Sequence, residues 1–289
     1  MGAIVCPKCG RLTEENAPAC FHCGARLGRT FRLERSLGRL LGSAEVTRVL
    51  LFTIVLIYLF QGGLSAMQES AGELFGREGG GLADFFRQDV EILYALGLQS
   101  TWAITERGEW WRLVTSIFTH LGLLHLAFNG IALYYVGFAM EEVFGAARTL
   151  LIFFGAGLGG SLASLLFAID GAGASGALFG FIGALAWFGY RRGGVTGREI
   201  KRKMLFWAAY GMIFGFLVRA NNVAHGAGFL AGGLMAMLVG WEPRRLARSR
   251  SILAAAMVLL FALSWTLAVV HYRGNVTEFK NELIRDHRR

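Results

Sequence analysis

Residues 171–190, "GAGASGALFGFIGALAWFGY", decide how this chain is read. The stretch is apolar enough for a membrane interior, yet it opens on Ser175, set among glycines and alanines. Two readings compete. The serine is a small packing residue between close helices, or it performs hydroxyl chemistry where little water is expected.

The rest of the chain supplies the setting. Of its 289 residues 54% are hydrophobic and 17% are charged, against about 25% charged in an average soluble domain. The apolar residues gather in blocks long enough to cross about 30 Å of hydrocarbon at about 1.5 Å per residue. An all-α polytopic membrane protein is expected. Candidate spans cover about 48–67, 121–140, 148–168, 174–190, 203–219, 223–241 and 251–271. Several are rich in glycine, which lets helices approach closely. Segment 68–120, with eight acidic and four basic residues, reads as a structured extracytoplasmic loop containing short helices.

The net charge of +9 does not point to nucleic acid, because the basic residues crowd the edges of the apolar blocks. "RRGGVTGREIKRK" (191–203) carries six Lys or Arg and "WEPRRLARSR" (241–250) carries four. Both belong on the cytoplasmic side, and the N-terminus with them. Seven spans then put the tail 272–289, with its five basic residues, outside. That conflicts mildly with the charge rule, and the internal loops are given precedence. The N-terminal segment lacks the apolar core of a signal peptide. An integral protein of the plasma (inner) membrane is expected.

All four cysteines precede the first span, as "CPKCG" (Cys6, Cys9) and "CFHCG" (Cys20, Cys23). Two C-x-x-C knuckles, each followed by glycine, suit one tetrahedral zinc ion held by four thiolates. Two disulfides or a redox pair are the alternative. Residues 1–27 are thus expected to form a small zinc-ribbon-like module in the reducing cytoplasm. Residues 28–47 form a linker with Arg29, Arg32, Arg35 and Arg39 at helical spacing. It suits a helix on an anionic membrane face, or equally a solvated connector. Lys8 and Arg11 are too few for a nucleic-acid patch, so a cytoplasmic protein partner is the better expectation for the module.

Counting along the spans tests the serine. Ser175 lies sixteen residues before Arg191, His225 sixteen before Trp241, and His125 sixteen before Glu141. All three spans run from outside to inside. Each group therefore stands about 24 Å above the inner boundary, a few Å below the outer face of a core about 30 Å thick. Polar groups at such depth are costly and mark function or a wet cavity. Alone, each has a bland reading, as a packing serine or an interfacial histidine. Their shared depth favours a site.

A serine hydroxyl needs a base to become a nucleophile, and neutral imidazole is the usual one. The fourth and sixth spans hold no acidic residue. A Ser175–His225 dyad is expected, with the imidazole oriented by packing against an aromatic such as Phe179. His125 and Asn129, at i and i+4, share a helix face. With the Ser175 backbone N–H they can form an oxyanion hole, the alternative being a plain interhelical hydrogen bond. Gly228 and Gly232 supply the close helix packing that such a dyad requires.

These residues resemble the rhomboid family of intramembrane serine proteases. "GASG" (173–176) is similar to its nucleophile motif and "AHGAGFLAGG" (224–233) to its general-base helix. "HLGLLHLAFN" (120–129) resembles its oxyanion segment and "WWRL" (110–113) the Trp-Arg pair of its first loop. "GFAMEEVFG" carries the family's Gly137, Glu141 and Gly145 pattern. The resemblance covers roughly 48–240. It implies a six-helix core at 48–241 that cuts transmembrane segments of membrane proteins within the bilayer, without a catalytic metal. Ser175 would be nucleophile and His225 base, with His125, Asn129 and the Ser175 amide stabilising the oxyanion. Zinc would then be structural. Phe179 stands where some members have tyrosine. The knuckles, and the seventh span at 251–271 with its tail, lie outside the shared core. The nearest rival is a catalytically inactive rhomboid-like scaffold that binds membrane proteins.

Overall fold

A computed structural model describes residues 3–5, 12–14, 19–24, 45–73, 89–240 and 247–286. They belong to two separate units, Met1–Glu45 and Val46–Arg289. In the first unit, β1 (Ala3–Val5) and β2 (Leu12–Glu14) form an antiparallel hairpin, with Ala3 opposite Glu14 and Val5 opposite Leu12. The expected linker, 28–47, lies outside the described residues up to 44.

The second unit is helical. Its first helix, α1 (Glu45–Glu73), begins against a distant carboxylate. Glu141 accepts from the Val46 N–H at 3.0 Å, the Thr47 N–H at 2.9 Å and the Thr47 hydroxyl at 2.9 Å. Those are donors that a helix N-terminus leaves unpaired, and a negative charge there also suits the helix dipole. A Cβ at Gly137 would lie 2.7 Å from the Thr47 methyl, so glycine lets α1 seat on the carboxylate.

Three short helices follow: α2 (Val90–Ala95), α3 (Thr101–Arg107) and α4 (Arg112–Thr115). The side chains of Asp89 and Ser100 cap the first two, as these residue types do. Arg112, wholly buried, holds the group together. Its Nη1 donates to the carbonyls of Tyr94 at 2.6 Å and Leu98 at 2.8 Å, and Nε pairs with Glu109 at 2.5 Å. The guanidinium carbon stands 4.4 Å from the Tyr94 ring centre and 4.7 Å from that of Trp111. Burial pulls its pKa down and Glu109 pushes it back up. Removing one partner of a buried ion pair strands the other. Arg112→Ala is therefore expected to cost about 3 kcal/mol or more of stability. Thermal unfolding in detergent checks this, and an unshifted midpoint would contradict it.

The long helices are α5 (Leu123–Phe144), α6 (Ala146–Leu166), α7 (Ser175–Arg192), α8 (Gly194–Leu217), α9 (Asn222–Val239) and α10 (Ala247–Asp286). Among the described residues, five helices are long and apolar enough to cross a membrane: α1, α5, α6, α9 and α10. The second unit thus fits the all-α polytopic membrane protein expected from composition. Two of the expected spans, 174–190 and 203–219, fall short of that measure, and each has a physical reason. Helix α7 is enclosed by α5, α6, α8 and α9, with a dozen buried residues from Gly176 to Gly189. A helix wrapped in protein does not need a lipid-grade surface. Helix α8 starts nine residues earlier than expected and takes Arg198, Lys201, Arg202 and Lys203 into its first turns. The connection before it contracts to a turn at Gly193 and Gly194, both at φ +64°. Glu199 pairs with Lys203 at 2.9 Å, one turn apart. The basic residues remain at the same end of the bundle.

The last helix also differs from expectation. No break separates a span ending at 271 from a tail. Helix α10 runs 40 residues to Asp286, about 60 Å at helical rise.

Candidate active site

Ser175 opens α7, so its backbone N–H is one of those a helix leaves without an internal acceptor. The approach to it is tied down by the short-helix segment. Gln99 and Gly171 form a two-way bridge, with N–H···O distances of 3.0 and 3.2 Å. The Thr101 N–H donates to Asp170 at 2.7 Å, and the Gly173 N–H to the Ser116 carbonyl at 2.8 Å. Gly173 sits at φ +130°, a conformation that L side chains avoid. A Cβ there would also lie 2.7 Å from His125 Nε2. Glycine is doubly required.

Helix α9 brings His225 to the serine. Nε2 and the Ser175 Oγ are 2.9 Å apart. His225 is 6% exposed, and Ser175 is half-buried. Phe179 lies flat on the imidazole, with centroids 4.4 Å apart and planes 8° from parallel. Gly211 of α8 makes the space, since a Cβ there would be 2.7 Å from the Phe179 ring.

A residue that the sequence reading passed over completes this arrangement. Asn222 Oδ1 lies 3.0 Å from His225 Nδ1, and its Nδ2 donates to the Met212 carbonyl at 3.1 Å. Because Met212 engages the amide N–H, Oδ1 must face the ring, so Nδ1–H donates and Nε2 is left to accept from serine. Imidazole orientation therefore comes from a hydrogen bond as well as from packing. In "NNVAH" the asparagine three residues before His225 shares its helix face, and that spacing was the available signal. Asn222→Ala should lower turnover roughly tenfold, one neutral hydrogen bond's worth, with KM unchanged. Steady-state kinetics on a reporter substrate measure this, and an intact turnover number would dismiss Asn222 as orienter.

His125 and Asn129 stand on α5, across the Gly173 turn. The Leu121 N–H donates to His125 Nδ1 at 3.4 Å. That leaves Nε2 as the protonated nitrogen, on the edge facing Gly173. Asn129 donates one amide N–H to the His125 carbonyl at 2.8 Å. Its Oδ1 is buried with no donor to accept from among the described residues. His120, just ahead of α5, bonds the Phe118 carbonyl at 3.0 Å and packs 5.2 Å from His125. Burial and the neighbouring His125 push its pKa down to about 3, so it stays neutral.

Gly228 and Gly232 line the seam between α7 and α9. A Cβ on Gly228 would collide with the Gly176 carbonyl, and one on Gly232 with the Gly180 backbone. The two helices touch backbone to backbone one turn below the Ser–His contact.

Of the cysteines, Cys6 and Cys9 lie outside the described residues, between β1 and β2. Cys20 is buried and Cys23 partly so. The His22 N–H donates to Cys20 Sγ at 3.4 Å, and the Gly24 N–H closes the turn on the Cys20 carbonyl at 2.9 Å. Among the described residues no group of three or more His, Cys, Asp or Glu side chains is placed to hold a metal ion.

Comparison with known proteins joins these observations. A family profile described as Rhomboid domain matches residues 107–242, which include Ser175, His225, His125, Asn129 and Asn222. The chain is 36% identical over 185 residues to Rhomboid protease GluP of Bacillus subtilis (strain 168), covering 63% of this chain and 36% of that protein. It is 33% identical over 135 residues to YdcA of the same organism, named for the rhomboid proteases, covering 45% of this chain and 68% of YdcA. It is also 34% identical over 146 residues to Inactive RHOMBOID-like protein 8 of Arabidopsis thaliana, covering 49% and 42%. The chain thus spans from about a third to two thirds of the curated relatives it matches. Across most of YdcA, and through every residue of the serine pocket, this chain belongs to the rhomboid family.

Proposed function

We propose that this protein is an intramembrane serine endopeptidase that cuts transmembrane segments of other membrane proteins by a Ser175–His225 dyad. The observation that carries this is the 2.9 Å contact between Ser175 Oγ and His225 Nε2. The other ring nitrogen is engaged by Asn222 and the ring face by Phe179. Ser175 Oγ attacks the scissile carbonyl carbon as its proton passes to Nε2. The oxyanion is met by the Ser175 N–H at the positive end of α7 and by N–H groups of His125 and Asn129. His225 then returns the proton to the leaving amine, and the acyl-enzyme is hydrolysed by water with His225 again as base. A substrate helix must unwind locally, since its own hydrogen bonds shield its carbonyls.

On this reading seven helices span the plasma (inner) membrane, with the N-terminus in the cytoplasm. Helix α7 crosses as an inner, protein-wrapped member and α8 crosses at the edge of the bundle with most of its apolar side chains facing outward, so the core at 48–241 is a six-helix bundle followed by α10. Cys6, Cys9, Cys20 and Cys23 hold a structural zinc ion, and the module at 1–27 docks a cytoplasmic protein rather than nucleic acid.

A serine-directed fluorophosphonate probe tests the dyad in native membranes. Labelling of the peptide containing Ser175, abolished in His225→Ala, is expected. The relative named as inactive gives the rival its content. If the wild-type chain captures transmembrane partners but is neither labelled nor cuts them, it is a scaffold.

A further inference from the structure

Helix α10 meets the rest of the second unit along one stripe at seven-residue spacing: Ala254, Phe261, Ala268 and Asn275. It packs on α2, α4 and α6, and the Phe261 ring lies 4.6 Å from that of Phe118. Three of these four residues are apolar. The fourth, Asn275, is wholly buried, which is costly unless its amide is bonded. Both its functions are engaged. Nδ2 donates to the Ala95 carbonyl at 3.2 Å, and Oδ1 accepts from Arg107 Nη2 at 3.2 Å. Ala95 ends α2 and Arg107 ends α3, so one side chain clasps two short helices.

Those helices hold the approach to Ser175. Four residues beyond Ala95, Gln99 makes the bridge to Gly171. At the start of α3, the Thr101 N–H bonds Asp170. Through α2 and α3, hydrogen bonds thus link α10 to the turn that leads into Ser175.

We infer that α10 is a working part of the catalytic unit, with Asn275 a positioning residue that holds the α2–α3 platform and, through it, residues 170–173 and Ser175. This rests on the protease reading for its effect on rate, but not for the mechanical link itself.

The test uses the full chain in lipid nanodiscs. In Asn275→Leu, amide exchange at Gly171 and Gly173 should rise about tenfold while amides inside α7 and α9 keep their protection. Turnover should fall about tenfold at constant KM. Asp170→Ala should cause a similar fall, and the double variant little more, because both cut one connection. Should the leucine variant not fold, Asn275→Asp keeps the bond from Arg107 and loses the donor to Ala95, and the same rise at Gly171 and Gly173 is expected. Unaltered exchange at those two amides, or a uniform rise over all helices, overturns the inference. If the wild type neither labels nor cleaves, the protease reading is lost, and exchange alone decides whether the clasp holds the turn.

Discussion

Replacing Ser175 with alanine should abolish cleavage of a transmembrane reporter, a loss of at least about 10⁴-fold, while the protein still folds. Only one oxygen is removed, from a half-buried position whose hydrogen bond is to His225, so little stability depends on it. Catalysis depends on it wholly, since no other hydroxyl stands at that imidazole among the described residues. His225→Ala should do nearly as much harm, because the hydroxyl then keeps its proton. The two losses should not add: residues that act as one unit fail together, as in the serine proteases where single and multiple knock-outs cost about the same. Rates for the two single variants and the double variant, measured on purified protein, decide the matter. Full cleavage by Ser175→Ala would end the proposal. Additive losses would mean that serine and histidine serve separate steps.

Gly228→Ala adds a single methyl group and should still slow cleavage strongly. The added methyl would fall on the Gly176 carbonyl, with the Gly176 carbonyl carbon at 2.8 Å and its Cα at 3.1 Å. Neither partner can yield, because both are backbone and Gly176 directly follows the nucleophile. Helices α7 and α9 must therefore separate, and the Oγ–Nε2 distance must grow with them. A displacement of about 1 Å at reacting groups can cost about 10²-fold in rate, and overpacking adds roughly 1–3 kcal/mol of lost stability. Turnover should fall about a hundredfold, with a lowered unfolding temperature. Gly226→Ala is the control on the same helix, since a Cβ there meets nothing within 4 Å. Equal losses at 226 and 228 would refute the argument, because a methyl that meets nothing would then do the same harm as one driven into the seam.

What was legible in the chain, and what was not, follows from how far apart the interacting groups lie. The apolar blocks and the candidate residues Ser175, His225, His125 and Asn129 are properties of short windows, where spacing along one helix sets depth and face. Gly228 and Gly232 could be read as a seam because small residues four apart mean little else in an apolar helix. The partner across that seam, and the fact that carbonyls rather than side chains fill it, came only from the packing of α9 on α7. Glu141 could be noticed as a pattern, but its work is to cap α1, some 95 positions away, which no local spacing encodes. Asn222 was in plain view beside His225. It acquires its role only because Met212, on another helix, fixes which end of the amide faces the ring. Helix α10 shows the limit most sharply. Its hydropathy announced a span, and its charges suggested a loose tail. A buried Asn275 bonded to Ala95, 180 positions earlier, ties it to the short helices of the same unit, because a polar group in an apolar setting takes its meaning from the partner that folding brings to it.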